Sequence, residues 1–554
     1  MQPLFHTIHF LLLFLYLVKN EYSMKTCIII FFTALALAGC SQQTKEAEPS
    51  GLGTIAHSFS ISEEARPHFN KGLLLLHSFE YDDAREEFEK ARQADPDELM
   101  AYWGLAMTHY KALWGLQDIE EGRKIMIALG DDTEARLQKA ENDLEASFWQ
   151  GIEILYGDGE FLERNQQYAD HMALVYEEYP DNLEVAAFYS LGLMWADYNN
   201  QDYLSKSTRV AAGIMKENPT HPGALHYMIH ANDDPENAIE AINAANQYAE
   251  VAPNATHALH MPSHIYVALG MWNEVVSSNE ASYQASLDRM ERKGLNGKAR
   301  GYHSMAWLHY GYLQQGRYEK AAALLEEMIG YRADSTYSPS YLIMMQNQQR
   351  IEAGTWPDNL EVQDVPHDQF GLSEMAGIHF LNSLIAHDNQ DGDAIREEIN
   401  KLTAHLEAEK LQVTNDGIAL CSSGPTRFAP TEETVDKTRI VLHQMEALLA
   451  LTNNDESAAE EHLKSATEIE MTAHYDPGPP FVAYPSFEQY GDWLLAKGRY
   501  EEALSQFERS LANRTNRTKA LKGKIAALEA LGRNKEAAET QNLLASITDP
   551  SKAV

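Results

Sequence analysis

Along ARPHFNKGLLLLHSFEYDDAREEFEKARQADPDE the small and apolar positions recur at helical rather than strand-like intervals. Gly72, Ala84, Phe88, Ala91 and Pro96 are separated by 12, 4, 3 and 5 residues. Small residues so placed let two antiparallel helices approach closely, and the proline closes a unit of about 34 residues. Near the other end, Gly491, Ala503, Phe507 and Ser510 repeat the steps of 12, 4 and 3. LQQGRYEKAAALLEEM reproduces the tail of the pattern around Ala321, and Ala459, Leu463 and Ala466 give a degenerate copy. Pro219 and Pro253 stand 34 apart and bracket one further unit. So many copies in phase predict stacked helix pairs and no strand-rich domain.

The spacing is that of the tetratricopeptide repeat, and the expected fold is an all-α, right-handed α-solenoid. Residues 1–39 read as a signal region with the true start at Met24, and 40–62 as a lipidated cysteine and polar tether. Repeats follow over 63–132, divergent helical repeats over 133–221, and repeats carrying a histidine cluster over 222–335. Divergent repeats with long loops are expected over 336–480, and a terminal pair over 481–554. Glycine and proline interrupt the pattern at Gly157 to Gly159, Gly294 to Gly301, Val413 to Thr431 and His474 to Phe481.

Between His221 and His264 lie six of the 22 histidines, in HPGALHYMIH and HALHMPSH. With units starting at Pro222 and Thr256, His226 and His260 share position five and His230 and His264 position nine. Residues four apart share a helix face, with Cβ atoms about 5–6 Å apart. The four rings are therefore expected on one wall of a concave groove, open to ligand. His257 at position two and Asp233 at position twelve point the same way. In a unit starting at Tyr302, His303 takes position two and Tyr310 position nine. Three roles compete for the cluster: hydrogen-bonded packing, a site for zinc, copper or nickel with Asp233 or Asp234 as oxygen ligand, and direct recognition of a polar or anionic ligand. Tyr102, Trp103, Tyr110 and Trp114 would suit sugar stacking, yet at helical spacing they read first as core. Trp272, His109 and His309 read as packing residues.

The N-terminal region changes the picture of where such a solenoid works. MKTCIIIFFTALALAGCSQQ has a basic Lys25, an apolar run from Cys27 to Ala36 and the ending Leu37-Ala38-Gly39-Cys40, the layout of a signal peptide. The ending resembles a bacterial lipobox, whose cysteine is diacylated, and predicts anchoring to the bacterial cell envelope through Cys40. Of three cysteines only Cys421 would remain as a thiol, so no disulfide within one mature chain is expected. A formal net charge of −38 without any basic run argues against a nucleic-acid partner. G-x-G-x-x-G, P-loop, G-x-S-x-G and H-E-x-x-H motifs are missing from the sequence.

DPDELMAYWGLAMTH, HPGALHYMIHANDDP, APNATHALHMPSHIYVALGMW and PPFVAYPSFEQYGDWLLAKGRYEEA resemble landmarks of a largely uncharacterised family of bacterial tetratricopeptide-repeat proteins. The resemblance runs from about Ala65 to Ala538. It implies the fold and the histidine segments, and no particular reaction. Where that family usually has Ser-His-Glu, this chain has Ser486-Phe487-Glu488. Glycan-binding lipoproteins of starch-utilisation-type systems share the architecture only. Taken together, these readings make the chain an envelope-anchored solenoid whose histidine groove binds a ligand through a metal ion, in a setting such as extracellular polysaccharide handling. A protein–protein scaffold and a metal-dependent hydrolase or lyase are the alternatives.

Overall fold

The computed structural model describes residues 51–354, 356–357, 360–363, 370–410 and 431–549. The signal region, Cys40 and Cys421 lie outside the described residues. The described chain is all-α, with one short hairpin pairing Tyr110–Lys111 and Leu116–Gln117.

Helices pack in sequential pairs, and glycines explain how closely. The Arg66–His77 helix packs on Tyr81–Ala94, and both meet Leu99–Met107. At their junction the Phe88 ring is fully buried. A Cβ added to Gly72 would lie 2.9 Å from that ring, and one added to Gly104 2.4 Å away. Any larger residue there would force the helices apart. The C-terminal repeats use the same device, with Phe507 held between Gly491 and Gly523. The 133–221 stretch, divergent in sequence, keeps it with Tyr168 between Gly151 and Gly192. Divergence there changed the aromatic residue and left the packing intact.

Both ends of the stack fold onto its middle. The Pro222–His230 helix packs against Arg66–His77 as well as against its sequence neighbours. Gly223 permits this approach, since a Cβ there would lie 2.5 Å from His77 Nδ1. Residues 51–62, assigned to the tether from sequence, also join the body. Thr54 N–H donates to the Thr220 carbonyl at 2.9 Å, and Leu52, Phe59 and Ile61 are buried. From the other side, Trp272 Nε1 donates to the Asn516 carbonyl at 2.9 Å and Thr518 N–H to Gln314 Oε1 at 2.9 Å.

Candidate metal centre

Three helical segments bring the histidines together. Pro222–His230 carries His226 and His230; Thr256–His260 and Pro262–Ala268 carry His257, His260 and His264; Tyr302–Gln314 carries His303. The helices begin at Pro222, Thr256 and Tyr302, as the repeat register predicts. Pro262 has no N–H to continue the helix from Thr256, so the chain breaks at Met261 and restarts.

The six rings form one continuous group. Centroids are 4.8 Å apart for His226 and His230, 5.0 Å for His226 and His257, and 5.8 Å for His230 and His264. On the other side they are 5.0 Å apart for His260 and His264 and 4.4 Å for His260 and His303. The ligand atoms fall into two sets of three, His226–His230–His257 and His260–His264–His303, each within 4.8 Å. His303 completes the second set, although its position-two placement alone did not single it out as a site residue.

The expected open patch is not observed. His226, His230, His260 and His264 are at most 1% exposed, and His257 and His303 are half-buried. The cover comes from the in-folded ends. Phe79 sets its ring edge-on to His226 at 4.3 Å and stacks with His257 at 5.8 Å. It holds a left-handed φ of 55°, at a turn where other helix pairs use Gly316, Gly498, Gly532 or Asn454. A left-handed bulky residue costs about 1 kcal/mol, so the turn spends backbone strain to place this ring. On the far side Trp307 lies 4.5 Å from the His264 ring and 4.9 Å from His260. Gly478, with φ 84°, lies so flat on the Trp307 indole that a Cβ would come within 2.1 Å of it. The 474–481 loop thus closes the second set.

Hydrogen bonds fix the orientation of three rings. Asn279 Nδ2 donates to the Val275 carbonyl, which turns its Oδ1 toward His260 Nδ1 at 2.7 Å. That nitrogen therefore carries the proton. His264 Nδ1 donates to Asp233 Oδ2 at 2.5 Å, and His226 Nδ1 to the His77 carbonyl at 2.7 Å. In all three the Nε2 points inward, and those of His260 and His264 face each other at 3.2 Å. Asp233, expected as an oxygen ligand, instead stands behind His264 as a buried acceptor. Burial, reinforced by the charges of neighbouring rings, pushes His226, His230, His257, His260 and His303 well below the ordinary imidazole value. Such rings stay neutral, the form that ligates metals.

Among the described residues, two further groups of possible ligands lie elsewhere. His77, Glu184 and His221 are fully buried beside the first set. His77 Nε2 donates to Glu184 Oε2 at 2.7 Å, its Nδ1 meets Tyr227 Oη at 2.8 Å, and His221 Nδ1 caps Ala224 N–H. Burial opposes the Glu184 carboxylate, but His77 and His221 outweigh it and hold its pKa below the usual range. The Glu184 carboxylate pairs with both rings, its Oε1 lying 3.3 Å from His221 Nε2, and the network supports His226 through the His77 backbone. Sequence could not join it, because Glu184 stands 107 residues from its partner. His443, Glu446 and His462 form a half-exposed group on the Glu432–Thr452 and Glu456–Glu470 helices.

The aromatic expectations hold for Tyr102, Trp103 and Tyr110, which are buried, and Trp114 packs on Tyr81. Trp272 and His309 are buried, whereas His109 is half-buried.

No family model and no curated protein matches this chain. Among solved structures, human IFIT1 in its dimer with PPP-AAAA is 13% identical, with 90% of this chain and 99% of that one covered at a TM-score of 0.34. Yeast Tom70 is 11% identical over 86% of this chain and 90% of its own, at 0.27. The TPR domain of P58(IPK) is 12% identical over 85% and 99%, at 0.20. Likeness at this level carries no argument about site or activity. The described chain is an all-α solenoid of stacked helix pairs.

Proposed function

We propose that this solenoid is a transition-metal-binding protein whose ion sits among His260, His264 and His303. The observation that carries the reading is the facing pair of Nε2 atoms, 3.2 Å apart, with both Nδ1 atoms committed to Asn279 and Asp233. Only a proton or a cation relieves two inward lone pairs at that distance. A proton serves two nitrogens, whereas six rings converge here. Histidine ligands of metal ions characteristically donate their other N–H to a carboxylate, amide or carbonyl oxygen, as these do. An all-imidazole donor set suits zinc, copper or nickel rather than calcium or magnesium.

The test is metal content by elemental mass spectrometry, on untagged protein reconstituted with zinc or copper and dialysed. At least one equivalent is expected in the wild type, and its retention should fall 10-fold or more in His260→Gln/His264→Gln. Loss of the Asp233 acceptor, as in Asp233→Ala, should weaken binding by about 10–100-fold. A wild type that keeps no metal would sink the reading.

The sequence ending at Cys40 supports a further part of this proposal, that the solenoid is tethered to the bacterial envelope by lipid. Labelled palmitate should enter the wild type and not Cys40→Ser; equal labelling of both would count against the anchor.

A further inference from the structure

Resting on the reading of His260, His264 and His303 as a metal site, we infer that the centre is dinuclear. A second ion is held by His226, His230 and His257, and the two ions share a small bridging anion such as hydroxide.

The two sets are built by the same rule. Each takes the histidines at positions five and nine of one repeat, plus the histidine at position two of the next. His226 and His230 join His257 from the unit at Thr256; His260 and His264 join His303 from the unit at Tyr302. The repeat that stacks one helix pair on another therefore carries the first ligand set onto the second. A single site would use only one of these copies.

An independent observation marks the first set as a receptor for a cation. His226 donates Nδ1–H to the His77 carbonyl, so its Nε2 presents a lone pair. That atom is buried and has no hydrogen-bond partner among the described residues. It faces the His230 and His257 rings. A buried acceptor left without a donor is destabilising, and an ion would remove that cost. Phe79 and the His77 carbonyl hold the ring in place, so its Nε2 stays turned toward the set.

The sets abut. His230 is 5.8 Å from His264, and His257 is 6.2 Å from His260, ring centre to ring centre. Paired ions in enzymes stand about 3.5–4 Å apart, and rings in contact across the divide allow that approach. Charge supplies the bridge. Imidazoles carry none, and the carboxylates nearby are already engaged in part: Asp233 Oδ2 accepts from His264 Nδ1, and the half-buried Glu80 accepts from the His257 backbone N–H and the Thr256 hydroxyl. Two divalent ions in so dry a place draw in a small anion between them.

The experiment loads metal-free full-length protein with copper(II), counts ions by elemental mass spectrometry and integrates the electron paramagnetic resonance signal. Two equivalents are expected, with a signal far below that of two isolated ions because a bridge couples their spins. His226→Gln keeps a donor for the His77 carbonyl, and should bind one equivalent with a full one-ion signal. His303→Gln should do the same. One equivalent in the wild type, kept in His226→Gln and lost in His260→Gln/His264→Gln, would overturn the second site and leave the first standing. Two equivalents with a full two-ion signal would overturn the bridge. No bound copper in the wild type would overturn both readings together.

Discussion

Taking the metal-free protein from pH 7.5 to pH 5.5 should remove about 4 kcal/mol that three buried histidine rings contribute to the central repeats. In the unfolded chain an imidazole titrates near 6.5. In the fold, burial pushes His226, His230 and His260 well below that. Between the two values the unfolded chain binds protons that the folded one refuses, so stability rises with pH. The contribution is complete above about 6.5 and is lost as pH falls toward the folded values. Each ring forfeits about 1.4 kcal/mol over these two units. His257 and His303, being half-buried, add less. Glu80 and Glu98 act in the opposite sense. Burial raises both carboxyls, Glu98 to about 7, and acid favours their protonated folded forms. The three rings are isolated by comparing the wild type with His226→Gln/His230→Gln/His260→Gln. Urea unfolding, followed by Trp307 fluorescence with the other tryptophans replaced, should show a larger loss of stability toward acid in the wild type than in the triple variant. Identical pH dependence in both proteins would mean that the rings are already protonated in the fold.

Much of this centre was legible in the sequence because repeats convert spacing into position. Pro219 and Pro253 set the register, and the helices start where that register places them. His226 with His260, and His230 with His264, are therefore neighbours as equivalent residues of adjacent units. What spacing could not supply was closure of the stack on itself. The contacts that bury the rings are long-range: Phe79 with His226, and Gly478 with Trp307. A groove read from local repeats is open by construction. This one is filled by its own ends, and that changes an exposed patch into a dry centre. His303 obeyed the register and was seen, but its meaning required the third helix to be in place. The supporting acceptors, Asn279 and the His77 carbonyl, carry no signal beyond an ordinary polar residue and a backbone atom.

Replacing Arg517 with methionine should cost about 3–5 kcal/mol, the range for a buried ion pair that loses one partner. The guanidinium is fully buried, with Nε 2.5 Å from Glu488 Oε1, Nη2 2.6 Å from Glu352 Oε1 and Nη1 donating to Tyr310 Oη at 2.8 Å. Burial disfavours its charge, but Glu352 and Glu488 outweigh that and hold its pKa well above the ordinary range. Glu352 is pushed upward by burial, against the pull of Arg517. Without the cation, Glu488 is left as a buried charge and Glu352 shifts further toward its neutral acid. Arg517 is the entry to the Thr518–Ala530 helix, and Tyr310 lies one turn from Trp307 on Tyr302–Gln314. The pair therefore ties the C-terminal repeats to the helix that covers the second histidine set. Because solenoid repeats depend mainly on their neighbours, the loss should be local. Denaturant unfolding of Arg517→Met should split, with residues 486–549 melting first and becoming the preferred site of proteolysis. Adding Glu352→Gln and Glu488→Gln removes the stranded charges and should restore at least half of the loss. A single transition at the wild-type midpoint would show that the C-terminal repeats are held by their other contacts, such as Trp272–Asn516 and Gln314–Thr518, and that the buried ion pair contributes nothing to closing the centre.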